Sequence, residues 1–133
     1  MPTLHDHPDA VERPYAAAAV HRGVIYACGQ LPRTPDGTTP TDLDEQVTLA
    51  IDNLETVLNN AGGRLDDLLK LTVYLADLAD FDTYNQAYLK RLAGIPLPPR
   101  TTIQVAAFRG HTRIEIDAIG AVATSDPEAR NRS

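Results

Sequence analysis

The sequence predicts an α/β (α+β) domain in which two helices cover one face of a single mixed sheet. Two stretches repeat apolar residues at helical spacing, and several shorter stretches alternate apolar and polar residues as strands do. Both kinds of element carry one apolar face, as a two-layer packing requires. Their order is β-β-α-β-α-β-β, and we expect right-handed crossovers where a helix joins parallel strands.

The first two strands are predicted to form a hairpin. Residues 15–21 and 24–29 are short apolar-rich runs, and Arg22-Gly23 between them suits a tight turn. The following segment, LPRTPDGTTPT, is rich in proline and contains a glycine, so it is predicted to be a loop.

The first helix is the most regular pattern in the chain. We predict that Thr41 caps its start, with Asp44 three residues on as a shortened capping box. Gly62-Gly63 suits a left-handed helix end. The apolar stripe of this helix comprises Leu43, Val47, Ala50, Ile51, Leu54, Leu58 and Ala61.

The second half of the chain contains a strand, a helix and two closing strands. Residues 66–75 alternate as a strand, and residues 80–92 form a helix that ends before the proline-rich stretch 95–99. Residues 101–108 and 113–122 are predicted as strands joined by a simple hairpin loop. The predicted inward residues are Leu69, Leu71, Val73 and Leu75 in the strand, and Phe81, Tyr84, Tyr88 and Leu92 in the helix.

Length and composition fit one domain. The 133 residues are 43% hydrophobic and 23% charged, which allows a core without disulfide or metal support. We assign residues 13–123 to the domain. Residues 1–12 are expected to be a flexible N-terminal arm and residues 124–133 a flexible C-terminal tail, because both are polar and lack periodicity.

Charge and cysteine content narrow the class of function. A net charge of -6 disfavours non-specific nucleic-acid binding, and no apolar run is long enough to span a bilayer. The N-terminus lacks the apolar segment of a signal peptide. Cys28 is the only cysteine, which excludes an intrachain disulfide. We therefore expect a cytoplasmic protein without a nucleic-acid or membrane partner.

Arg100 and Glu115 are candidate site residues in the two closing strands. Arg100 follows two prolines that stiffen its approach, and arginine binds carboxylates through paired hydrogen bonds. Glu115 stands between two isoleucines, where a carboxylate can orient or deprotonate a water. Taken alone, each also fits a solvated side chain without a function.

Cys28 and Gly29 end the second predicted strand. Gly29 allows a ligand to approach the backbone closely, whereas Cys28 would need a nearby base or cation to act as a nucleophile. A turn glycine beside a small buried cysteine is the alternative interpretation. His5 and His7 lack the further ligands of a metal site, so no metal is expected.

The sheet face away from the helices is predicted to be polar with small residues at its margin. Ala16, Ala18 and Ala27 suit tight contact with another subunit. Either solvent or a closed ring of identical chains would then cover this face. The polar residues predicted to share it are Thr102, Gln104, Arg113, Glu115 and Asp117.

Four segments of the chain together resemble the Rid (YjgF) family. PPRTTIQVAAF and RIEIDAIGAV are similar to the family's arginine-led strand and the glutamate-containing strand that follows it. RPYAAAAVHRGVIYACGQLP resembles the family's N-terminal Gly-Pro-Tyr to Ser-Gly-Gln segment, and residues 44–92 resemble its central helix, strand and helix. The resemblance covers residues 13–122.

This resemblance implies a chorismate-mutase-like (bacillus type) subunit in a homotrimer with ligand clefts between subunits. It implies hydrolysis of reactive 2-imino or enamine acids, of the 2-aminoacrylate type, to 2-keto acids and ammonium without a cofactor. By motif, Arg100 would bind the substrate carboxylate and Glu115 would position the attacking water. The implied substrate-binding residues are Gly29, Cys28, Tyr15, Thr102 and Asn85, the last of them mainly structural.

The predicted hairpin has a consequence for this site. If Phe108 pairs with Arg113, Arg100 lies about 20 Å along the strands from Glu115. One chain then cannot bring both residues to one small substrate. Either the site joins Arg100 of one subunit to Glu115 of another, or a bulge changes the register.

Three residues depart from the family pattern. Thr102 stands where many members have cysteine, and Cys28 stands where serine is usual. Both replacements keep small polarisable groups, so the pocket is expected to persist. Arg13 replaces the glycine before Pro-Tyr. We expect this arginine to narrow the entrance of the site or to change its charge, and so to affect the range of substrates.

Four functions remain to be weighed. The first is a 2-imino acid deaminase, the second a pathway-specific deaminase acting on a different enamine, and the third a non-catalytic protein that binds a small carboxylate. The fourth is ribonuclease activity or inhibition of translation, against which the negative charge and the absence of a basic aromatic strip argue. Retention of both Arg100 and Glu115 favours the first two.

Overall fold

The computed structural model of the chain describes residues 1–123, so the predicted C-terminal tail lies outside the described residues. Six strands and two α-helices form the fold, with a short 3-10 turn before the second helix. The elements are β1 (Thr3–His5), β2 (Ala18–His21), β3 (Val24–Gln30), α1 (Leu43–Asn60), β4 (Gly63–Leu75), the turn Leu78–Asp80, α2 (Phe81–Arg91), β5 (Arg100–Gln104) and β6 (Ile114–Val122).

All strands belong to one mixed sheet in the order β1-β2-β3-β6-β4-β5. The β4–β5 pair is parallel and the other pairs are antiparallel. Both helices pack on the same face, where alternate strand residues such as Ile25, Val73 and Ile116 are fully buried. The predicted fold class, a mixed sheet with two helices on one side, is confirmed.

The apolar stripe of α1 is buried as the helical spacing predicts, and Gly62 ends the helix with a φ of 92°. The predicted cap is wrong: Asp42 occupies the N-cap position without a side-chain cap bond, and α1 begins at Leu43. In β4, Leu69 is exposed rather than inward, because the register shifts between Leu68 and Lys70.

Gln46 is the one polar residue in the core of residues 1–123, and it fixes the approach to β6. Its Nε2 donates to the backbone oxygens of Pro40 (2.7 Å) and His111 (3.1 Å). Its Oε1 accepts from the backbone N–H of Arg113 at 2.8 Å. Because all three partners lie in loops, this buried amide holds the start of α1 against the loop that leads into the strand of Glu115.

The closing strands do not form the predicted hairpin. β5 lies parallel to β4 on the outer edge, whereas β6 returns on the other side of β4. At the end of β4, Val105 donates its N–H to Leu75 and Ala76 donates its N–H to Arg113, so the two closing strands flank one strand. The connection through α2 places β5 parallel to β4, which a short hairpin loop could not do.

The N-terminal segment also departs from expectation. Thr3–His5, predicted within a flexible arm, pairs antiparallel with β2, and Ala17 donates its N–H to the His5 oxygen at 2.9 Å. A three-residue edge strand is too short for a pattern in the sequence to reveal it. Ala18 and Ala27, predicted as contact points for another subunit, belong instead to the buried core beneath the helices.

Candidate functional site

Arg100 begins β5 and lies on the helix-covered side of the sheet. It is in register with Leu71, which is buried under the helices. Its guanidinium carbon lies 4.6 Å from the ring centre of Tyr88, 5.3 Å from that of Tyr84 and 5.8 Å from that of Phe81. Three rings of α2 therefore form an aromatic platform for the guanidinium, which favours a cation.

Asn85 fixes the orientation of Arg100. Its Oδ1 accepts from Nη1 of Arg100 at 2.8 Å. An amide oxygen orients the guanidinium without neutralising it, and within residues 1–123 Arg100 forms no ion pair. The result is a fixed positive charge at the edge of the sheet with donors left for an anion.

Thr102 supports this arrangement from the same strand face. It is in register with buried Val73, and its Oγ1 lies 2.9 Å from the hydroxyl oxygen of Tyr84. Burial raises the pKa of Tyr84, so the phenol remains neutral under Arg100. The prediction that Thr102 and Gln104 lie on the open face is wrong, because β5 takes its register from β4 rather than from β6.

Glu115 lies on the open face, over a bulge in β3. Ala27 pairs with Ala118 and Gln30 with Ile116, so two residues, Cys28 and Gly29, stand opposite one. A Cβ added to Gly29 would overlap the carboxylate of Glu115, with Cδ only 2.8 Å away. Glycine is therefore what lets the carboxylate lie against the β3 backbone.

Asp117 and Tyr74 complete the surroundings of Glu115 on this face. Tyr74 is directly opposite Glu115 in the sheet, and its hydroxyl donates to Oδ2 of Asp117 at 2.7 Å. Burial, followed by the charge of Asp117, raises the pKa of Glu115. The bond to Asp117 raises the pKa of Tyr74 to about 12. Arg113, predicted beside these carboxylates, instead donates Nη2 to Asp80 at 2.9 Å.

Cys28 is not set up as a nucleophile. Burial raises the pKa of its thiol despite an opposing effect of the positive charge of Arg13. Nε2 of Gln30 donates to the backbone oxygen of Cys28 at 3.1 Å and lies 3.4 Å from Sγ. Cys28 can therefore line a site with a neutral thiol. The hydrogen bond from Gln30 holds the backbone of Cys28 in place.

Tyr15 and Arg13 lie on the chain segment beside the Cys28 bulge. Cys28 donates its N–H to the Ala17 oxygen at 2.9 Å, and Nε2 of His7 lies 2.8 Å from the Tyr15 oxygen. The His7 and Tyr15 rings meet edge to face, with centres 5.2 Å apart. Arg13 is paired through its guanidinium with Asp9, a contact that no sequence pattern indicated.

The predicted site residues thus form two groups. Arg100, Asn85 and Thr102 meet at the α2 side of the sheet edge, while Glu115 lies with the Cys28-Gly29 bulge on the open face. Sequence reasoning missed Asp9, Tyr74 and the contact of the Tyr84 and Tyr88 rings with Arg100. The helical spacing of the two tyrosines was visible, but aromatic residues at that spacing usually indicate only a core.

Arg100 and Glu115 are far apart within one chain. Through β4, Arg100 is level with Leu71 and Glu115 with Tyr74, three positions on. Two strand spacings and three residues give about 14 Å between their Cα atoms. An odd separation also places the side chains on opposite faces. The predicted hairpin between the closing strands was wrong, because β4 lies between them. Arg100 and Glu115 are nevertheless far apart in the structure.

Residues 1–123 contain no group of three His, Cys, Asp or Glu side chains arranged to hold a metal ion. In the same part of the chain, neither helix is both long and apolar enough to cross a membrane.

The family model described as endoribonuclease L-PSP matches residues 5–122. The chain belongs to this family, whose members include the Rid (YjgF) proteins. Among its solved structures, the Rid protein YyfA from Yersinia pestis is 27% identical, with a TM-score of 0.84 over 92% of this chain and 100% of the other. E. coli TdcF with bound serine is 29% identical, with a TM-score of 0.79 over 85% of this chain and 91% of that one.

Some relatives that are similar to this chain in sequence are named as deaminases. A mouse 2-iminobutanoate/2-iminopropanoate deaminase is 37% identical over 108 residues, which is 80% of this chain and 79% of the relative. The protein of the same name from E. coli strain K12 is 32% identical over 109 residues, or 80% of this chain and 85% of the relative. The motif resemblance of the sequence is thereby confirmed at the level of the family.

Proposed function

We propose that this chain is a homotrimeric deaminase that hydrolyses reactive 2-imino or enamine acids to 2-keto acids and ammonium. In this proposal each active site lies between subunits and joins Arg100 of one chain to Glu115 of another. The names of the mouse and E. coli relatives support the reaction, and the serine bound to TdcF supports a small amino-acid-like ligand.

The uncompensated charge of Arg100 is the observation that carries the proposal. Its guanidinium is held by Asn85 and by the α2 aromatic platform, without an acidic partner in residues 1–123. A small carboxylate would supply the missing charge and satisfy the free N–H groups in pairs. Every 2-imino acid carries such a carboxylate beside the reactive carbon.

The open face supports contact between chains. Tyr26 is 50% exposed and Ile103 is 42% exposed, and Tyr26 stands in register beside Ile119. Apolar side chains on the uncovered face of a two-layer domain favour burial against another copy. In a closed ring, such burial would bring the β5 edge of one subunit toward the Glu115 face of the next.

The proposed chemistry needs one base and little activation, because the carbon of a protonated imine is already electrophilic. Glu115 takes a proton from water as the water oxygen bonds to that carbon, and the C=N electron pair moves to nitrogen. Glu115 then returns the proton to the nitrogen. As the C–N bond breaks, the hydroxyl group gives its proton to Glu115 and becomes the keto oxygen, and the departing ammonia takes up that proton to leave as ammonium. Positioning contributes most of the rate, with acid–base catalysis added.

The neutral thiol of Cys28 argues against a covalent route. A nucleophilic cysteine requires a lowered pKa, whereas burial raises that of Cys28. In the proposed site, Cys28 and Gly29 therefore line one side of the reacting carbon with their backbone atoms and the small side chain of Cys28. Tyr15 would line the same cleft.

Trapping of imines tests the proposal. An amino-acid oxidase generates 2-iminopropanoate or 2-iminobutanoate, and semicarbazide captures whatever survives. We expect the wild-type protein to shorten imine lifetime, and Arg100→Ala and Glu115→Ala each to lower kcat/KM by about 100-fold or more, as expected for lost charged contacts. Arg109→Ala is the matched control, because Arg109 is exposed and outside the predicted site.

Unchanged imine lifetime with the wild-type protein would contradict the proposed activity. If calorimetry then still detected 2-keto acid binding that Arg100→Ala abolished, the chain would be a small-carboxylate-binding protein instead. Loss of activity in Arg109→Ala equal to that in Arg100→Ala would refute the specific role given to Arg100.

A further inference from the structure

We infer that Arg13 is a specificity-determining residue that selects 2-imino acids with a second carboxylate, namely short-chain 2-imino dicarboxylates. This inference rests on the proposed function and concerns the Glu115 side of the same site. Hydrolysis of such a substrate consumes one water and yields a 2-keto dicarboxylate and ammonium, so no oxidant or co-reactant is needed.

Arg13 is held in a defined position by Asp9. Nη1 donates to Oδ1 at 2.9 Å and Nη2 donates to Oδ2 at 2.8 Å, a two-pronged contact. Asp9 also accepts the N–H of Val11 at 3.0 Å, and Ala10 between them has a φ of 60°. A tight turn thus carries the carboxylate that orients Arg13, whose side chain is only 22% exposed.

The contacts to Asp9 leave one edge of the guanidinium available. Besides Asp9, Nη1 donates to the Val11 oxygen at 3.2 Å. Neither Nε nor the second hydrogen of Nη2 has a hydrogen-bond partner within residues 1–123. These two N–H groups form the side of the fork, which can hold a second carboxylate through paired bonds.

Arg13 lies beside the predicted reaction centre. The chain runs from Arg13 to Ala17, whose oxygen accepts the N–H of Cys28. The positive charge of the guanidinium lowers the pKa of the Cys28 thiol, against the larger effect of burial. Cys28 is followed by Gly29, against which the Glu115 carboxylate rests. In this inference, a substrate whose reactive carbon lies at Glu115 extends its side chain along Cys28 toward Arg13.

The two arginines differ in how far their charge is already balanced. Arg100 has a neutral amide as its partner, whereas Arg13 has a carboxylate. Arg100 is therefore suited to the carboxylate that every substrate has. Because Asp9 already accepts hydrogen bonds from Arg13, Arg13 adds affinity only for a ligand that Arg100 has already oriented. A contact of this kind distinguishes one substrate from another.

Two substitutions separate charge from size. Arg13→Gly restores the glycine of the family pattern, and Arg13→Met removes the charge but keeps most of the side-chain bulk. The substrates are 2-iminosuccinate, made from aspartate by an aspartate oxidase, and 2-iminobutanoate. We expect wild type to favour the dicarboxylate, and both variants to lose about tenfold or more in kcat/KM on it, as for one charged contact. On 2-iminobutanoate both variants should stay within about threefold of wild type.

A binding measurement keeps this inference separate from the proposed activity. Calorimetry with 2-oxoglutarate and 2-oxobutanoate should show a preference for the dicarboxylate that both Arg13 variants lose. If no imine is hydrolysed but this preference appears and is lost in the variants, the proposed reaction fails and the role of Arg13 stands. The inference is overturned if wild type lacks the preference, if Arg13→Met retains it, or if both variants lose the two ligands equally.

Discussion

Arg100 and Glu115 lie on opposite faces of one sheet, with β4 between their strands. Arg100 is level with Leu71 on the helix side, and Glu115 is level with Tyr74 on the open side. A small ligand that touches both side chains therefore requires a second chain. In the proposed homotrimer, the contact between subunits would therefore be part of the active site and would not serve only to bury the open face.

Asn85→Asp should weaken substrate binding without disturbing the fold. The new carboxylate would have nearly the shape of the amide that accepts from Arg100, but it would neutralise the guanidinium and repel the substrate carboxylate. We expect KM to rise about tenfold with a smaller change in kcat. Steady-state kinetics check this, and an unchanged KM in a folded variant would contradict the role of Arg100 as an uncompensated anion site.

Gly29→Ala should reduce turnover while leaving the protein folded. The added Cβ meets only the flexible end of Glu115, so the carboxylate moves aside rather than the backbone. We expect kcat to fall about tenfold and the melting temperature to change by only about 2 °C. In a Glu115→Ala background the same substitution should have little further effect. A full tenfold loss there would show that Gly29 acts on something other than Glu115.

Asp117→Asn should shift the pH dependence of activity. Burial and the Asp117 charge raise the pKa of Glu115, and as a base Glu115 works ionised, so kcat/KM rises with pH through that pKa. Removing the negative charge lowers the pKa, and the rising limb should move to lower pH. Asp66→Asn, at an exposed residue of β4, serves as control. A limb that stays in place or moves upward would exclude Asp117 as a determinant of Glu115 ionisation.

Gln46→Leu should destabilise the fold. The substitution leaves the part-buried N–H of Arg113 and the oxygens of Pro40 and His111 without their partner in the core. Unsatisfied buried groups of this kind predict a loss of about 3 kcal/mol in the free energy of unfolding. Urea titration measures it, with Glu45→Gln on the exposed side of α1 as control. A loss below about 1 kcal/mol would mean that the loops find other partners.

The sequence predicted individual elements well because burial follows their periodicity. The seven apolar positions of the first helix are all buried, as are Leu71, Val73 and Leu75 of β4. Alternation specifies which residues of a strand share a face, and helical spacing does the same for a helix. Each pattern is local, so it survives in the folded chain wherever no bulge intervenes.

Strand pairing was not predictable in the same way. The alternating runs of the two closing strands are compatible with a hairpin, yet β4 lies between them. The face of Thr102 was consequently mispredicted, because a strand's inward side depends on its neighbour's register. Thr3–His5 and the bulge at Leu69 escaped notice for a related reason: both depend on backbone pairing rather than on side-chain pattern.

The candidate site was predicted in its residues but not in its geometry. Arg100 and Glu115 were singled out from motif resemblance, and their separation was anticipated from a wrong hairpin. The contacts that define their chemistry depend on tertiary placement. Asn85 and Tyr88 meet Arg100 only because α2 packs over the start of β5. Asp9 reaches Arg13 only through a turn at Ala10.

Subunit complementation tests the inter-subunit site most directly. Arg100→Ala and Glu115→Ala chains, each expected to be inactive, are co-expressed with different affinity tags, and mixed oligomers are purified through both tags. In a trimer that contains both kinds of chain, about one third of the sites combine an intact Arg100 from one chain with an intact Glu115 from its neighbour. We predict imine hydrolysis at about that fraction of the wild-type rate. Mixed oligomers no more active than either variant alone would contradict the shared site.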